Sequence, residues 1–374
     1  YYDGYATGLY GLSAVYGGGF TRGGLGGNPN LTPETKTETE IGTDLRFLNN
    51  RLTTSITYYN NATKDLLLAL DVPTSTGYSQ RWLNAGSMEN KGLEVELDYV
   101  LLDRGDFRWS ISGNWSRNRN KVTSLAGSAA QGLSGGYGGQ SVIEGQPFGV
   151  MYGTDFQSDA NGKYLLDDNG FPQEGTANQV IGNPNPKWRA GLGTTMHYKK
   201  WMLYVLFDRV SGNQFYNGTR GALYNFGAHA DQGNEVTSSV DLKTLDGQTI
   251  PAGTPFRGQI KDFGGGPVAL TQVWYQSLGT SFGTASVKQF IEDATATRLR
   301  EVTLSYSLSS DAFRAATKLT AVDFSLTGRN LLLWTPFTGV DPEVNITGAA
   351  IARGSDWFTN PNTKSVLFTV KITL

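Results

Sequence analysis

Apolar and polar residues alternate along nine stretches of about ten residues each. In the stretch 91–100, Leu93 and Val95 share one face, whereas Glu94 and Glu96 share the other. A period of two is typical of β-strands, whose successive side chains point to opposite faces of a sheet. The predicted strands are 37–48, 51–60, 91–100, 107–118, 187–198, 201–210, 298–308, 319–330 and 364–374. The pattern predicts an all-β protein built from antiparallel strands.

The connections between these strands alternate strictly in length. The short ones are 49–50, 101–106, 199–200 and 309–318, and the long ones are 61–90, 119–186, 211–297 and 331–363. A soluble β-sandwich also shows alternating strands, but it has no reason to sort its loops by length. Outer-membrane barrels do, because they have short periplasmic turns and long extracellular loops. We therefore expect an antiparallel transmembrane β-barrel, with the apolar faces of its strands toward lipid.

Aromatic residues lie near both ends of the predicted strands. Phe47, Tyr99, Phe107, Tyr198 and Trp201 lie beside short turns, and Tyr58, Trp115 and Trp188 lie beside long loops. Two aromatic girdles, one at each interface, are typical of membrane barrels. The alternative is the general preference of aromatic residues for strands.

Arg298 and Arg300 interrupt the alternation, because they fall on the same face as the apolar Val302 and Leu304. Either a bulge shifts the register at this point, or both arginines lie above the apolar band and reach toward water.

The directions of the predicted strands indicate that the chain is part of a larger barrel. If the last strand ends in the periplasm, nine strands place the residues before Thr37 outside the cell, whereas an intact barrel chain begins and ends in the periplasm. Open sheet edges are also not tolerated in lipid. We therefore expect residues 1–374 to be the C-terminal part of one barrel domain, with 1–36 an extracellular loop and 37–374 strands and loops, or else one of two chains that complete a barrel.

Composition removes several classes of function. The net charge of -2 and the absence of long Lys/Arg runs argue against a nucleic-acid partner. The absence of cysteine excludes disulfides, thiolate metal sites and cysteine nucleophiles. The sequence contains no His-Glu-x-x-His motif and no phosphate-binding glycine loop, so we do not expect an enzyme.

Several strings in the chain are similar to motifs of one transporter family. The segments 28–34 (NPNLTPE) and 84–94 (NAGSMENKGLE) resemble motifs that are widespread among TonB-dependent barrels. The segments 181–188 (IGNPNPKW), 298–302 (RLREV) and 339–343 (GVDPE) resemble more specifically the SusC/RagA-like branch of these transporters. The likeness spans nearly the whole chain in the family's order.

This resemblance implies a 22-stranded barrel in the bacterial outer membrane, of which this chain supplies about nine C-terminal strands. It also implies an N-terminal plug and a TonB-binding segment in the part of the protein not present here, and a SusD-like surface lipoprotein as a lid. The implied function is TonB-dependent import of an oligosaccharide or peptide. The rivals are a siderophore or cobalamin receptor, and a structural or secretion-associated barrel subunit that does not transport.

The last predicted strand places five apolar residues on one face: Val366, Phe368, Val370, Ile372 and Leu374. It resembles the signal that the barrel-assembly machinery reads in such proteins. An ordinary amphipathic closing strand requires the same residues.

Six aromatic residues in the long connections are candidate ligand contacts: Tyr78, Trp82, Tyr216, Tyr224, Trp274 and Tyr275. Exposed aromatic faces can stack on sugar rings or contact peptide side chains. The alternative is that they pack the loops together.

Two short strings suggest a structural calcium ion, since closely spaced Asp and Asn oxygens suit a hard cation. They contain Asp159 with Asn161, and Asp167 with Asn169. Neither has the downstream bidentate Glu of a calcium loop, and the same residues are common in tight turns. No other metal and no organic cofactor is expected.

Overall fold

The computed structural model describes residues 10–13, 19–22, 24–128, 130–133, 139–282, 286–346 and 353–374. Its nine long strands, here called the wall strands, are β1 (Thr35–Phe47), β2 (Leu52–Asp71), β3 (Gln80–Arg104), β4 (Phe107–Ser124), β5 (Trp188–Tyr198), β6 (Trp201–Ser211), β7 (Ala296–Leu308), β8 (Ala321–Trp334) and β9 (Ser365–Thr373). Each of the nine predicted strands is present, which confirms the mostly β class.

Shorter elements fill the connections. The short strands are Tyr10–Ser13, Gly19–Arg22, Leu25–Gly26, Gln131–Gly132, Gln140–Val142, Val150–Phe156, Glu174–Gly182, Gln214–Asn217, Glu235–Thr237, Leu242–Lys243, Thr249–Ile250, Pro255–Arg257, Gln259–Asp262, Pro267–Leu270, Ile291–Asp293 and Ser355–Asp356. The α-helices are Gly218–Asn225, Ala230–Gly233, Gln272–Tyr275 and Asp311–Thr317, and the 3-10 turns are Thr74–Thr76 and Val287–Phe290. Among the described residues, none of the helices combines the length and apolar character needed to cross a membrane.

The chain divides into two compact units. The first comprises Tyr1–Gly132, Ser141–Phe148 and Lys187–Met202, and the second comprises Leu133–Gln140, Gly149–Pro186 and Leu203–Leu374. In the first unit, β1 pairs with β2, β2 with β3, β3 with β4 and β4 with β5, and all four pairs are antiparallel. In the second unit, β7 pairs with β8 and β8 with β9, again antiparallel.

The hairpin of β2 and β3 extends well beyond the strands predicted for this region. The connection 61–90 was expected to be a long loop, but the β2–β3 ladder continues through Asp71 and Gln80, so only 72–79 joins the two strands. The expectation was wrong because the alternation is lost here: the run 66–70 (LLLAL) is apolar at every position. Leu66 and Leu70 are buried, so this extension carries a small core of its own.

The register of β7 resolves the interruption at Arg298 and Arg300. The pairing with β8 shifts between Leu299 and Glu301, which is the bulge that the sequence left as one of two alternatives. Arg298 is buried and ion-paired, so it does not reach toward water as the other alternative required.

Among the described residues, many large apolar side chains on one face of the wall strands are exposed. Ile41 is 70% exposed, and its register partner Tyr58 is also exposed. In the second unit, Leu304, Leu326 and Phe368 form a row of register partners, and all three are exposed. A sandwich would bury such rows between two layers. Rows of large apolar side chains on an open face are instead what a lipid-facing barrel wall requires.

Candidate functional site

The opposite face of the first unit's strands is polar. A ladder of asparagines crosses this face: Asn90 Nδ2 donates to Asn61 Oδ1 at 3.1 Å, and Asn118 Nδ2 and Asn120 Nδ2 donate to Asn90 Oδ1 at 3.1 and 2.9 Å. A cavity of about 360 Å³ lies there, lined by Glu38, Glu40, Thr57, Tyr59, Asn61, Asn90, Glu94 and Asn118. This face offers many donors and acceptors, as expected for the inner wall of a transport barrel.

The long connections of the second unit enclose an apolar cluster, here called the loop core. It comprises Met151, Phe156, Phe171, Ile181, Tyr216, Tyr224, Phe263, Val268, Leu270, Trp274, Tyr275 and Phe290. Trp274 is at its centre, 4% exposed, with ring centroids of Phe171 and Phe263 at 5.6 and 5.3 Å. Stacked and tilted aromatic pairs of this kind add to the burial free energy and fix the loops in place.

Four of the six candidate ligand aromatics belong to the loop core. Tyr216, Tyr224, Trp274 and Tyr275 are all buried, and the rings of Tyr224 and Tyr275 lie 4.8 Å apart. Their positions match the packing alternative, because their faces contact protein.

The other two candidates, Tyr78 and Trp82, lie in the first unit. The Tyr78 ring lies against Gly26, where an added Cβ would stand 2.9 Å from it. The Trp82 carbonyl accepts a hydrogen bond from Asn28 Nδ2 at 3.0 Å. Both contacts anchor the segment before β1 to the extended hairpin.

A small cluster of polar side chains lies at the edge of the loop core, around Tyr224. The Tyr224 hydroxyl donates to Asp231 Oδ2 at 2.5 Å, and His229 lies edge-on to the Tyr224 ring at 4.6 Å. Burial, together with the hydrogen bond to Asp231, raises the pKa of Tyr224 far above its usual range. Burial lowers the pKa of His229, so this imidazole is neutral at pH 7. The Tyr224 hydroxyl is therefore a neutral donor to the Asp231 carboxylate, and His229 Nδ1 accepts the backbone N–H of Asp231 at 3.2 Å.

A buried ion-pair network holds the segment 339–343 against the wall in the second unit. Arg298 Nη2 lies 2.7 Å from Asp341 Oδ1, and both side chains are almost fully buried. Arg300 Nη2 lies 2.7 Å from Asp208 Oδ2 and also contacts Glu343. The motif residues that carried the family resemblance thus form one clamp. Sequence reasoning singled out the two arginines and the GVDPE string separately but did not pair them.

The two candidate calcium strings form matching turns. Asp159 Oδ1 accepts the backbone N–H groups of Asn161 and Lys163 at 2.8 and 2.9 Å, and these bonds lower the pKa of Asp159. Asp167 Oδ1 likewise accepts from Asn169 and Phe171 at 2.9 and 2.8 Å. Within the described ranges, no group of three or more His, Cys, Asp or Glu is arranged to hold a metal. These contacts are those of Asx turns.

Sequence reasoning missed an open cavity of about 650 Å³ in the second unit, here called the loop cavity. Its lining includes Asp155, Gln157, Tyr164, Gln179 and Lys288. Asp155 is buried and lies 2.5 Å from the half-exposed Lys288 ammonium. A volume in this range suits a small-molecule site. No local pattern marks this cavity in the sequence, because its walls come from segments more than a hundred residues apart.

The five apolar residues of the last strand, Val366, Phe368, Val370, Ile372 and Leu374, are all exposed. Those from Val366 to Ile372 have register partners on β8. Val366, Phe368, Val370 and Ile372 form one face of β9, as the sequence predicts, and Leu374 follows the last residue of the strand. Their part in barrel assembly stays a prediction.

Comparison with known proteins places this architecture. Residues 1–250 match the family described as TonB dependent receptor-like, beta-barrel. The chain is 27% identical to TonB-dependent receptor P26 of Formosa agariphila, over 92% of this chain and 35% of that protein. It is 26% identical to TonB-dependent receptor SusC of Bacteroides thetaiotaomicron, over 85% of this chain and 30% of that protein. The chain thus spans about a third of the length of the curated relatives it matches.

A solved structure shows the same fold. The RagAB peptide importer in its closed-closed state matches with a TM-score of 0.68 and 20% identity, covering 98% of this chain and 38% of that one. The predicted likeness to TonB-dependent barrels is therefore confirmed, and SusC and the RagAB importer are among the proteins that the chain is similar to. With the family match extending over two thirds of its length, the chain belongs to the TonB-dependent receptor-like β-barrels of the bacterial outer membrane.

Proposed function

We propose that the protein containing this chain imports a bulky nutrient, an oligosaccharide or a peptide, across the outer membrane by TonB-dependent transport. Two features of the chain together support this proposal. The wall has an apolar face suited to lipid and a polar inner face, and the long connections fold around a core of their own. A structural barrel needs only the wall, whereas large connections folded around a core of their own suit the binding of a ligand. The relationship to SusC and the shared fold with a peptide importer support the same conclusion.

The proposal includes partners that lie outside this chain. A plug and a TonB-binding segment would open the barrel, and a SusD-like lipoprotein would cover the extracellular mouth. The proposed 22-stranded barrel has this chain as its C-terminal part. No covalent step is assigned to it.

Uptake by whole cells tests the proposal directly. Cells of the source bacterium that lack the full-length gene should lose uptake of a labelled oligosaccharide or peptide, and deletion of TonB should have the same effect. Loss of uptake of a metal chelate alone would instead identify a siderophore or cobalamin receptor. Unchanged uptake of all three probes would leave the barrel without a transport role and overturn the proposal.

The loop cavity is the part of this chain that we propose contacts the substrate. Its lining combines the Tyr164 ring, the Gln179 amide and the Lys288 ammonium, a mixture that suits polar ligands with some apolar surface. Replacing Tyr164→Phe and Gln179→Ala should weaken substrate binding by the full-length protein about tenfold, the loss of one or two hydrogen bonds of about 1 kcal/mol each. Tyr198→Phe on the wall is the matched control and should leave binding unchanged. Equal affinities in all three proteins would remove the loop cavity from the substrate path.

A further inference from the structure

The outer face of β3 and β4 carries a compact group of cations immediately beyond the apolar band. This basic patch consists of Lys91, Arg117, Arg119 and Lys121, all exposed. Lys91 and Arg119 are register partners, Arg117 is opposite Leu93, and Lys121 is opposite Glu89. The four cations therefore occupy adjacent positions on one sheet face.

The strand register shows that the basic patch lies on the lipid-facing side of the sheet. The pairing of β3 with β4 has no shift between Met88 and Val100, so the parity is continuous from the patch to the apolar pair Val95–Trp115. Residues two apart share a face, and the patch thus lies on the same face as the apolar band. Trp115 and the neighbouring Tyr58 mark the boundary, where aromatic residues prefer the membrane interface.

Asparagines on the inner face hold the strand in this orientation. In the string 117–121 (RNRNK), the cations alternate with Asn118 and Asn120. Both asparagines donate to Asn90 on the polar face. A slip of one residue would break this ladder and turn the cations inward.

The patch carries a surplus of positive charge that the described part of the chain does not neutralise. Lys91 pairs with Glu89 at 3.0 Å. Arg117, Arg119 and Lys121 have no ion pair or hydrogen bond with the described residues. Like charges directly opposite each other on neighbouring strands are destabilising, and Lys91 opposite Arg119 is such a pair. An external anion would relieve this repulsion.

We propose that the basic patch binds the phosphate groups of outer-leaflet lipid headgroups and so fixes a lipid against the wall. The patch lies on the side of the apolar band away from the short turn 105–106, and since short turns of outer-membrane barrels are periplasmic, this is the extracellular side. Clusters of Lys and Arg at the headgroup level bind anionic lipids, and arginine forms bidentate pairs with phosphate. Solvated surface cations would need neither the alternation with asparagine nor a place at the aromatic boundary.

Lipid binding by the purified full-length protein in nanodiscs tests this inference. The probes are phosphorylated lipid A and lipid A from which the phosphates have been removed. The variant R117Q/R119Q/K121Q should bind phosphorylated lipid A about a hundredfold more weakly at low salt, given the usual contribution of each cation near a membrane surface. The wild type should bind the dephosphorylated lipid as weakly as this variant does.

Two further variants make the result specific. R104Q/K199Q/K200Q removes three exposed cations near the short turns and should leave binding unchanged. R117K/R119K/K121R keeps the charge and should retain most of the binding, which also shows that the patch tolerates substitution if the glutamine variant assembles poorly. Equal weakening by both glutamine variants, or equal binding of both lipids by the wild type, would overturn the inference. Neither result depends on whether the protein imports a nutrient.

Discussion

The wall strands and the loop core place the same kinds of residue in opposite surroundings. On the wall, Ile41 and Phe368 are mostly exposed because their partner is lipid. In the loop core, Phe171 and Trp274 are buried against other protein. The wall is thus stabilised by continuous backbone pairing and by its surroundings, whereas the loop core depends on side-chain packing as a soluble protein does.

This difference predicts which substitutions each region tolerates. In the loop core, truncating a buried side chain should be costly, whereas the surrounding lipid or detergent should matter little. On the wall, loss of volume should matter little, but a charge on the outer face should be costly.

The largest expected effect is that of Trp274→Ala. Removing this buried side chain should lower the free energy of local unfolding of the loop core by about 3–5 kcal/mol. Trp201→Ala on the exposed face of β6 should cost less than about 1 kcal/mol, since its site leaves no closed cavity. Hydrogen exchange of the full-length protein in detergent measures both. Similar losses at the two sites would contradict the distinction between the regions.

The ion-pair network offers a second test in the loop region. Arg298→Met should destabilise the segment 339–343 by about 3–5 kcal/mol, because Asp341 is left as a buried charge without its main partner. The double variant Arg298→Met/Asp341→Leu should recover much of this loss. Protease sensitivity of the segment reports the change, and an additive double variant would show that the pair is not coupled.

A charge on the wall should have a somewhat smaller cost. Leu326→Arg places a cation toward lipid and should reduce the free energy of folding into bilayers by about 2–4 kcal/mol. The control is Ser325→Arg, one residue away on the polar face, which should cost much less. Urea unfolding from vesicles measures the two values. If Ser325→Arg were the more costly variant, the assignment of the faces would be reversed.

The smallest expected effect is the pH dependence of Asp356. This carboxyl group is fully buried, and burial raises its pKa above the usual value. The folded state therefore holds the proton more tightly than the unfolded state, and the stability it contributes is present at low pH and lost as pH rises through the raised pKa. The protection of amides around 353–359, relative to the intrinsic exchange rate at each pH, should fall over that range in the wild type. In Asp356→Asn, which keeps the acceptor for Thr219 and Thr359, this protection should no longer depend on pH in that range, and a persisting dependence would assign the titration elsewhere.

The wall was predictable because lipid imposes one rule on every strand. Residues such as Leu93 and Glu94 must alternate, so the sequence alone identified all nine wall strands. The extension of β2 was missed because the run 66–70 does not alternate, since Leu66 and Leu70 are buried against protein. The loop core and the loop cavity could not be predicted, because Phe156, Trp274 and Lys288 meet only through tertiary folding and leave no local pattern.

The ion-pair network of Arg298 was only partly predictable from the sequence. The wrong parity of two arginines was visible in the sequence and pointed to a bulge, which β7 contains. Their partners Asp341 and Asp208 lie on separate segments, so the pairing itself required the structure.

Spin-label accessibility along β8 tests most directly the claim that the apolar rows of the wall face lipid. The sequence contains no cysteine, so single cysteines can be placed in turn at positions 322 to 327 of a cysteine-free full-length protein. After reconstitution into vesicles, labels at positions 322, 324 and 326 should collide often with oxygen dissolved in lipid, while labels at 323, 325 and 327 should respond to a water-soluble nickel complex. The same accessibility at odd and even positions, or oxygen exposure at the odd ones alone, would contradict the account.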